Sequence, residues 1–154
     1  MGESLQPCAV RPVDVPSLLA QGRAGHADAV ALRMPDGHCI PYGSLYAQVC
    51  GVAGALCAAG ARGQRVAVVV PNGADMSLAL LATMCTGIAV PFNPAYTAAE
   101  LADYFRLARI DALLVADPAH VSVAVAKDQA VPVHVLEHLR GTAGESAPEL
   151  QVQA

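Results

Sequence analysis

Apolar positions along the chain switch between helical and strand spacing. Leu45, Val49, Val52 and Leu56 recur at helical intervals with Ser44, Gln48 and Gly51 between them, which predicts an amphipathic helix over about 42–59, closed by Gly60. Arg65–Val70 is a short continuous apolar run between Gly63 and Pro71-Asn72-Gly73, the pattern of a central strand covered on both faces. A helix over 75–86, apolar on most sides, and a strand over 88–90 follow. Thr97 with Glu100 three residues later predicts a capping box, after which Leu101, Tyr104, Phe105 and Ala108 form one apolar face. A strand is expected over 112–115. Residues 120–127 fit helix or strand, because Val-Ser-Val-Ala-Val alternates; 131–135 reads as a strand and 136–139 as a short helical turn.

Upstream, Ala29–Met34, the turn Pro35-Asp36-Gly37-His38 and Cys39–Pro41 read as a hairpin, since Pro fixes φ and Gly tolerates positive φ. Three units are therefore expected: an irregular segment over 1–25 with one short helix near 17–21, an α/β portion over 26–140, and a flexible polar tail over 141–154. Alternating strands and helices call for a mostly parallel sheet with flanking helices and right-handed crossovers.

Composition narrows the function classes. The 154 residues are 55% hydrophobic, chiefly Ala and Val, and only 14% charged, which excludes a disordered chain. Nine basic against thirteen acidic residues give a net charge of −4, so no extended basic surface is available for nucleic acid. Residues 76–99 carry no charge, but Gly87, Pro91, Asn93 and Pro94 divide them, and no transmembrane segment is expected. The N-terminus lacks a basic region followed by an apolar run, so no secretory signal is read and a cytoplasmic location is expected. The five cysteines, Cys8, Cys39, Cys50, Cys57 and Cys85, form no CxxC pair and read as small buried hydrophobes in a reducing compartment.

Little catalytic chemistry is visible. An open parallel sheet binds ligands at the carboxyl ends of its strands. Here those ends are Pro71-Asn72-Gly73, Pro91-Phe92-Asn93-Pro94 and Asp117-Pro118, none of them a phosphate loop. His134 and His138 have metal-ligand spacing only on a helix, and Pro132 with its Val-rich context places His134 on a strand. His26, His38 and His120 read as solvated. Gly43-Ser44-Leu45 lacks the GxSxG form, and Gly22-Arg23-Ala24-Gly25 shares only spacing with an RNA-binding loop. No catalytic, cofactor-binding or metal residue is assigned.

Four segments nevertheless carry a resemblance. His26–Leu32, Ile40–Leu45, Gly63–Gly73 and Thr86–Leu101, in this order and spacing, resemble the N-terminal part of acyl-CoA synthetases of the adenylate-forming, AMP-binding superfamily. The match covers about residues 26–116. Asn93-Pro94-Ala95-Tyr96-Thr97 is similar to the fatty-acyl-CoA and oxalate-CoA ligase-like branches. The resemblance implies a partial adenylate-forming fold and a family reaction in which a carboxylic acid and ATP with Mg²⁺ give an acyl-adenylate that is passed to CoA. It also implies that the family's phosphate-binding loop, adenine and ribose contacts, acyl pocket and catalytic lysine lie downstream of the matched region. Lys127, the only lysine, stands in no matching motif and takes no catalytic role. The expectation is a truncated N-terminal portion of such a ligase, inactive alone, with the rest of a ligase chain or a homologous subunit as partner. The alternative is a non-catalytic α/β interaction module built on the same scaffold; an unrelated small-molecule-binding α/β domain ranks third. A surface that normally packs against more protein implies an exposed apolar patch or self-association.

Overall fold

Residues 65–70 place Val66, Val68 and Val70 on one side of an extended chain and Ala67 and Val69 on the other, and all five are buried. That double burial organises the architecture. A computed structural model describes residues 14–136 and 150–153 of the chain. Its elements are α1 (Val15–His26), β1 (Val30–Arg33), β2 (Cys39–Pro41), α2 (Tyr42–Ala58), β3 (Arg65–Val69), α3 (Ala74–Thr86), β4 (Ile88–Pro91), α4 (Ala98–Ala108), β5 (Ala112–Val115), α5 (Val121–Asp128), β6 (Val133–Leu136) and β7 (Leu150–Gln153).

The main sheet runs β4-β3-β5-β6-β7; its first four strands are parallel and β7 is antiparallel to β6. Helices cover both faces. On one, Leu19 of α1, Leu45, Val49, Val52 and Leu56 of α2, and Leu78, Ala79 and Ala82 of α3 pack on Val66, Val68, Leu114 and Leu136. On the other, Leu101 and Phe105 of α4 and Val123, Val125 and Ala126 of α5 pack on Ala67, Val69, Leu113, Val115, Val133 and Val135. The crossover through α3 steps one way along the sheet on the first face, and those through α4 and α5 step the opposite way on the second. All three therefore share one hand, as the right-handed preference of βαβ units demands.

β1 and β2 form a separate antiparallel hairpin. Gly37, at φ +87°, makes its turn, in which the Asp36 carboxylate accepts the His38 N–H at 2.9 Å. The hairpin's base is fixed to the start of α2, because the Tyr42 N–H donates to the Ala29 carbonyl and the Gly43 N–H to the Ala27 carbonyl.

Several expectations change. The short helix near 17–21 is a twelve-residue helix beginning at Val15, where the Asp14 side chain caps it by accepting the Ser17 N–H at 2.8 Å. Residues 150–153, expected in a flexible tail, form β7; residues 1–13, 137–149 and 154 lie outside the described residues. Leu136, expected to open a helical turn, closes β6, and the remainder of that turn lies outside the described residues. The ambiguous run at 120–127 is helical from Val121 onward. The cysteines are less buried than expected: Cys50 is exposed, and Cys39, Cys57 and Cys85 are half-buried. On α4, Leu101 and Phe105 are fully buried, while Tyr104 lies at the margin, 39% exposed.

Candidate functional site at the carboxyl ends of the strands

The connections from β3 and β5 leave for opposite sides of the sheet, so the strand order reverses between these neighbours. In open α/β sheets that reversal leaves a crevice beyond the strand ends, the usual ligand position. Its walls here are Pro71-Asn72-Gly73 after β3 and Asp117-Pro118 after β5, with Pro91–Tyr96 beside them after β4.

Each wall has a local cause. Gly73 adopts φ +150°, a conformation that side-chain-bearing residues rarely reach, and this lets the chain turn from β3 into α3; its carbonyl then accepts both the N–H and the hydroxyl of Ser77. Beyond β4 the Phe92 N–H still bonds to the Val68 carbonyl, extending the ladder by one residue. Asn93 then forms a side-chain turn, its Oδ1 accepting the Ala95 N–H at 2.9 Å. The Asp117 carboxylate does the same for the Ala119 N–H at 2.8 Å.

The β4–α4 connection is held from two sides. The Phe92 ring lies 6.0 Å from Tyr104 and 5.5 Å from Phe105, and Tyr96 lies 5.2 Å from Tyr104. From α5, His120 Nε2 lies 2.9 Å from the Pro94 carbonyl, while its Nδ1 accepts the Ser122 N–H at 3.1 Å and lies 2.9 Å from the Ser122 hydroxyl. The carbonyl can only accept and the Ser122 N–H can only donate, which assigns the proton to Nε2. His120 thus caps α5 and ties its start to Pro94. Expected to be solvated, it is part-buried and bonded through both ring nitrogens; a histidine cap has no distinctive sequence signal, and only the partner 26 residues upstream reveals the tie.

Where this connection meets α4, the helix begins with the expected capping box. Thr97 Oγ1 accepts the Glu100 N–H, and the Glu100 carboxylate accepts the Thr97 N–H at 2.8 Å; these bonds hold the Glu100 carboxyl below its ordinary range.

The remaining histidines do not gather here. His26 and His38 are exposed, His134 is buried in β6 on the α1–α3 face, and His138 lies outside the described residues. Lys127 is exposed in the last turn of α5. Among the described residues no three His, Cys, Asp or Glu side chains are grouped to hold a metal ion. The strand ends supply Asn72, Asn93 and Asp117, with neither a glycine-rich phosphate cradle nor a lysine. This donor set does not fit a nucleoside triphosphate with its magnesium, so no adenylation step is derived from it. No helix among the described residues is long and apolar enough to cross a membrane.

Comparison with known proteins agrees with this arrangement. The family model described as "AMP-binding enzyme" matches residues 19–153. No curated protein matches. Among solved structures, ATP-bound MatB from Rhodopseudomonas palustris is 25% identical with a TM-score of 0.70, covering 80% of this chain and 25% of MatB. IdnL7 is 27% identical with a TM-score of 0.65, covering 78% of this chain and 24% of IdnL7. The N-terminal subdomain of NpsA from Klebsiella oxytoca, solved with anthranilyl-AMSN, shares the fold at 21% identity and a TM-score of 0.65, over 75% of this chain and 32% of that one. The chain thus spans about a quarter to a third of the length of these relatives.

Proposed function

The chain belongs to the AMP-binding enzyme family, and on that footing we propose that it is the N-terminal portion of an acyl-CoA synthetase-like ligase, without activity of its own. The complete reaction would join a carboxylic acid to CoA through an acyl-adenylate, using ATP and Mg²⁺. The observation that carries this reading is the family match over residues 19–153, centred on the sheet whose strand ends are Pro71-Asn72-Gly73 and Asn93-Pro94-Ala95-Tyr96-Thr97. The four segments that resemble acyl-CoA synthetases lie within or beside that sheet and favour a CoA ligase over other adenylate-forming enzymes.

In this reading the chain contributes scaffold: a rigid β4–α4 connection clamped by His120, and a strand-end crevice against which downstream parts of the enzyme pack. Catalysis in such chemistry rests on positioned groups that stabilise phosphate charge, which the described strand ends lack. The purified 154-residue chain is therefore expected to release no AMP above background when given ATP, Mg²⁺, CoA and a panel of carboxylic acids. Acid-dependent AMP release would overturn the inactivity. Replacing the matched N-terminal quarter of MatB with this chain tests the placement: retained ATP-dependent adenylation supports it, and a folded but inert chimera overturns it.

A further inference from the structure

A groove of about 330 Å³ lies between α1, α2 and α3, away from the strand-end crevice. Its course follows from how α1 lies along α2. The Gly43 N–H donates to the Ala27 carbonyl, Gly22 backs onto the Tyr42 ring, and the Arg23 guanidinium stands 5.1 Å from the centre of the Tyr46 ring, so the end of α1 sits beside the start of α2. Pro16, in the first turn of α1, lines the groove with Ala53, Cys57 and Cys85, so the two helices run antiparallel. They are unequal in length. α1 has 12 residues and α2 has 17, and the difference of five residues is about 7.5 Å of helix. The last turn of α2, with Cys57, and Arg62 beyond it therefore extend past the start of α1, and this end of the groove is left open. Asp14, the cap of α1, is extended at φ −77° and ψ 162°, so the chain enters α1 beside that open end.

We propose that residues 10–13 of this chain cover the open end of the groove, with Val10 and Val13 seated against Ala53, Cys57 and Cys85. The sequence there, Val10-Arg11-Pro12-Val13, suits the place. Pro12 fixes its own φ and holds Arg11 away from helical conformation, so the run favours polyproline II, in which three residues make a turn. Val10 and Val13 then share one face, apolar like the alanine and cysteine wall, and the Arg11 charge falls on another face and stays in water. At about 3.1 Å per residue the four residues span about 12 Å, more than the length of α2 left open. Tethering favours this occupant over a second copy of the chain. Val13 is three residues from Pro16, which already lines the groove, and so short a tether gives the segment an effective concentration on the order of millimolar.

Alkylation of the full chain with iodoacetamide, stopped at intervals and mapped by peptide mass, tests the proposal. Cys57 and Cys85 are expected to label roughly tenfold faster in the Val10→Asp, Val13→Asp double variant than in the parent, because two seated valines no longer hold the cover down. Cys39, half-buried in the hairpin and outside the groove, should label at the same rate in both, and the protection of Cys57 and Cys85 in the parent should survive dilution. Unchanged rates at Cys57 and Cys85 overturn the proposal, as does protection that falls on dilution, which would give the groove to a second copy. If Cys39 accelerates as well, the variant has unfolded, and a second measurement decides: photoreactive benzoylphenylalanine in place of Arg11 is expected to cross-link within its own chain to the peptides carrying Ala53–Cys57 or Cys85. Capture elsewhere on the chain, between chains, or not at all overturns the proposal.

Discussion

Gly87 stands where α3 ends against the loop that precedes β3. A Cβ there would lie 2.4 Å from the Gln64 carbonyl oxygen and 3.0 Å from the Gln64 nitrogen, backbone atoms pinned by the Ile88 N–H to Gln64 and Gly63 N–H to Thr86 bonds. Gly87→Ala is therefore expected to destabilise the chain by about 2 kcal/mol, read as a lower urea midpoint at unchanged slope. This was legible from sequence, since a glycine between a helix and an apolar strand marks a close approach. His134 was legible only as a strand residue. It is 1% exposed, its Nδ1 has no partner among the described residues, and burial lowers its pKa from the ordinary 6.5. The unfolded chain takes up the proton first, so this group's stability contribution is fully present above pH 6.5 and is lost as pH falls toward the depressed folded value. His134→Val keeps a strand-forming apolar side chain on the same face. The variant should lose less stability than the parent between about pH 7.5 and 5.5 in urea titrations; equal losses would remove His134 as the cause.

Three helices end in the same way. After α2 the Ala61 N–H reaches back to Leu56 and the Gly60 N–H to Cys57; after α4 and α5 the same two bonds recur with Arg109 and Ala130 at the left-handed position, φ 53° and 56°. Each ending is accompanied by burial of its apolar pair, Ala61 with Leu56, Ile110 with Phe105, and half-buried Val131 with Ala126. Ala130→Gly is expected to raise stability by about 1 kcal/mol, and Gly60→Ala to lower it by a similar amount, because only glycine adopts positive φ without steric cost. Opposite shifts in thermal midpoint check the pair. Gly60 announced its helix end in the sequence, but Arg109 and Ala130 did not, since there the apolar contact fixes the turn against local preference. α5 was ambiguous for a related reason: its valines alternate, and the His120 cap together with burial of Ser122, Val123, Val125 and Ala126 selects the helix. β7 lies in a stretch read as polar and aperiodic, and its pairing with β6 supplies the order that local propensity does not.

At the scale of the molecule the sheet has two unlike margins. β7 pairs antiparallel on one side, while among the described residues β4 has no strand beyond it and carries Ile88, 49% exposed. An unpaired edge with an exposed apolar side chain invites association with another chain. The parent is expected to show concentration-dependent self-association that Ile88→Lys reduces, measured by sedimentation velocity. An equally associated variant would move the contact elsewhere, with Leu107, 81% exposed on α4, the next residue to test. The alternation of Arg65–Val69, Ile88–Pro91 and Ala112–Val115 with helices made the parallel sheet legible, because pattern and packing agree there. The strand ends at Pro71-Asn72-Gly73, Pro91–Pro94 and Asp117-Pro118 were legible too, but the tie of His120 to the Pro94 carbonyl was not, since its partner lies 26 residues away. Because successive residues of β3 serve separate cores, the sheet is also a partition: volume lost beside Val68 is felt by α1, α2 and α3, and volume lost beside Val69 by α4 and α5. Substitutions on opposite sides should combine almost additively, so the two sides can drift, or be redesigned, without consulting one another.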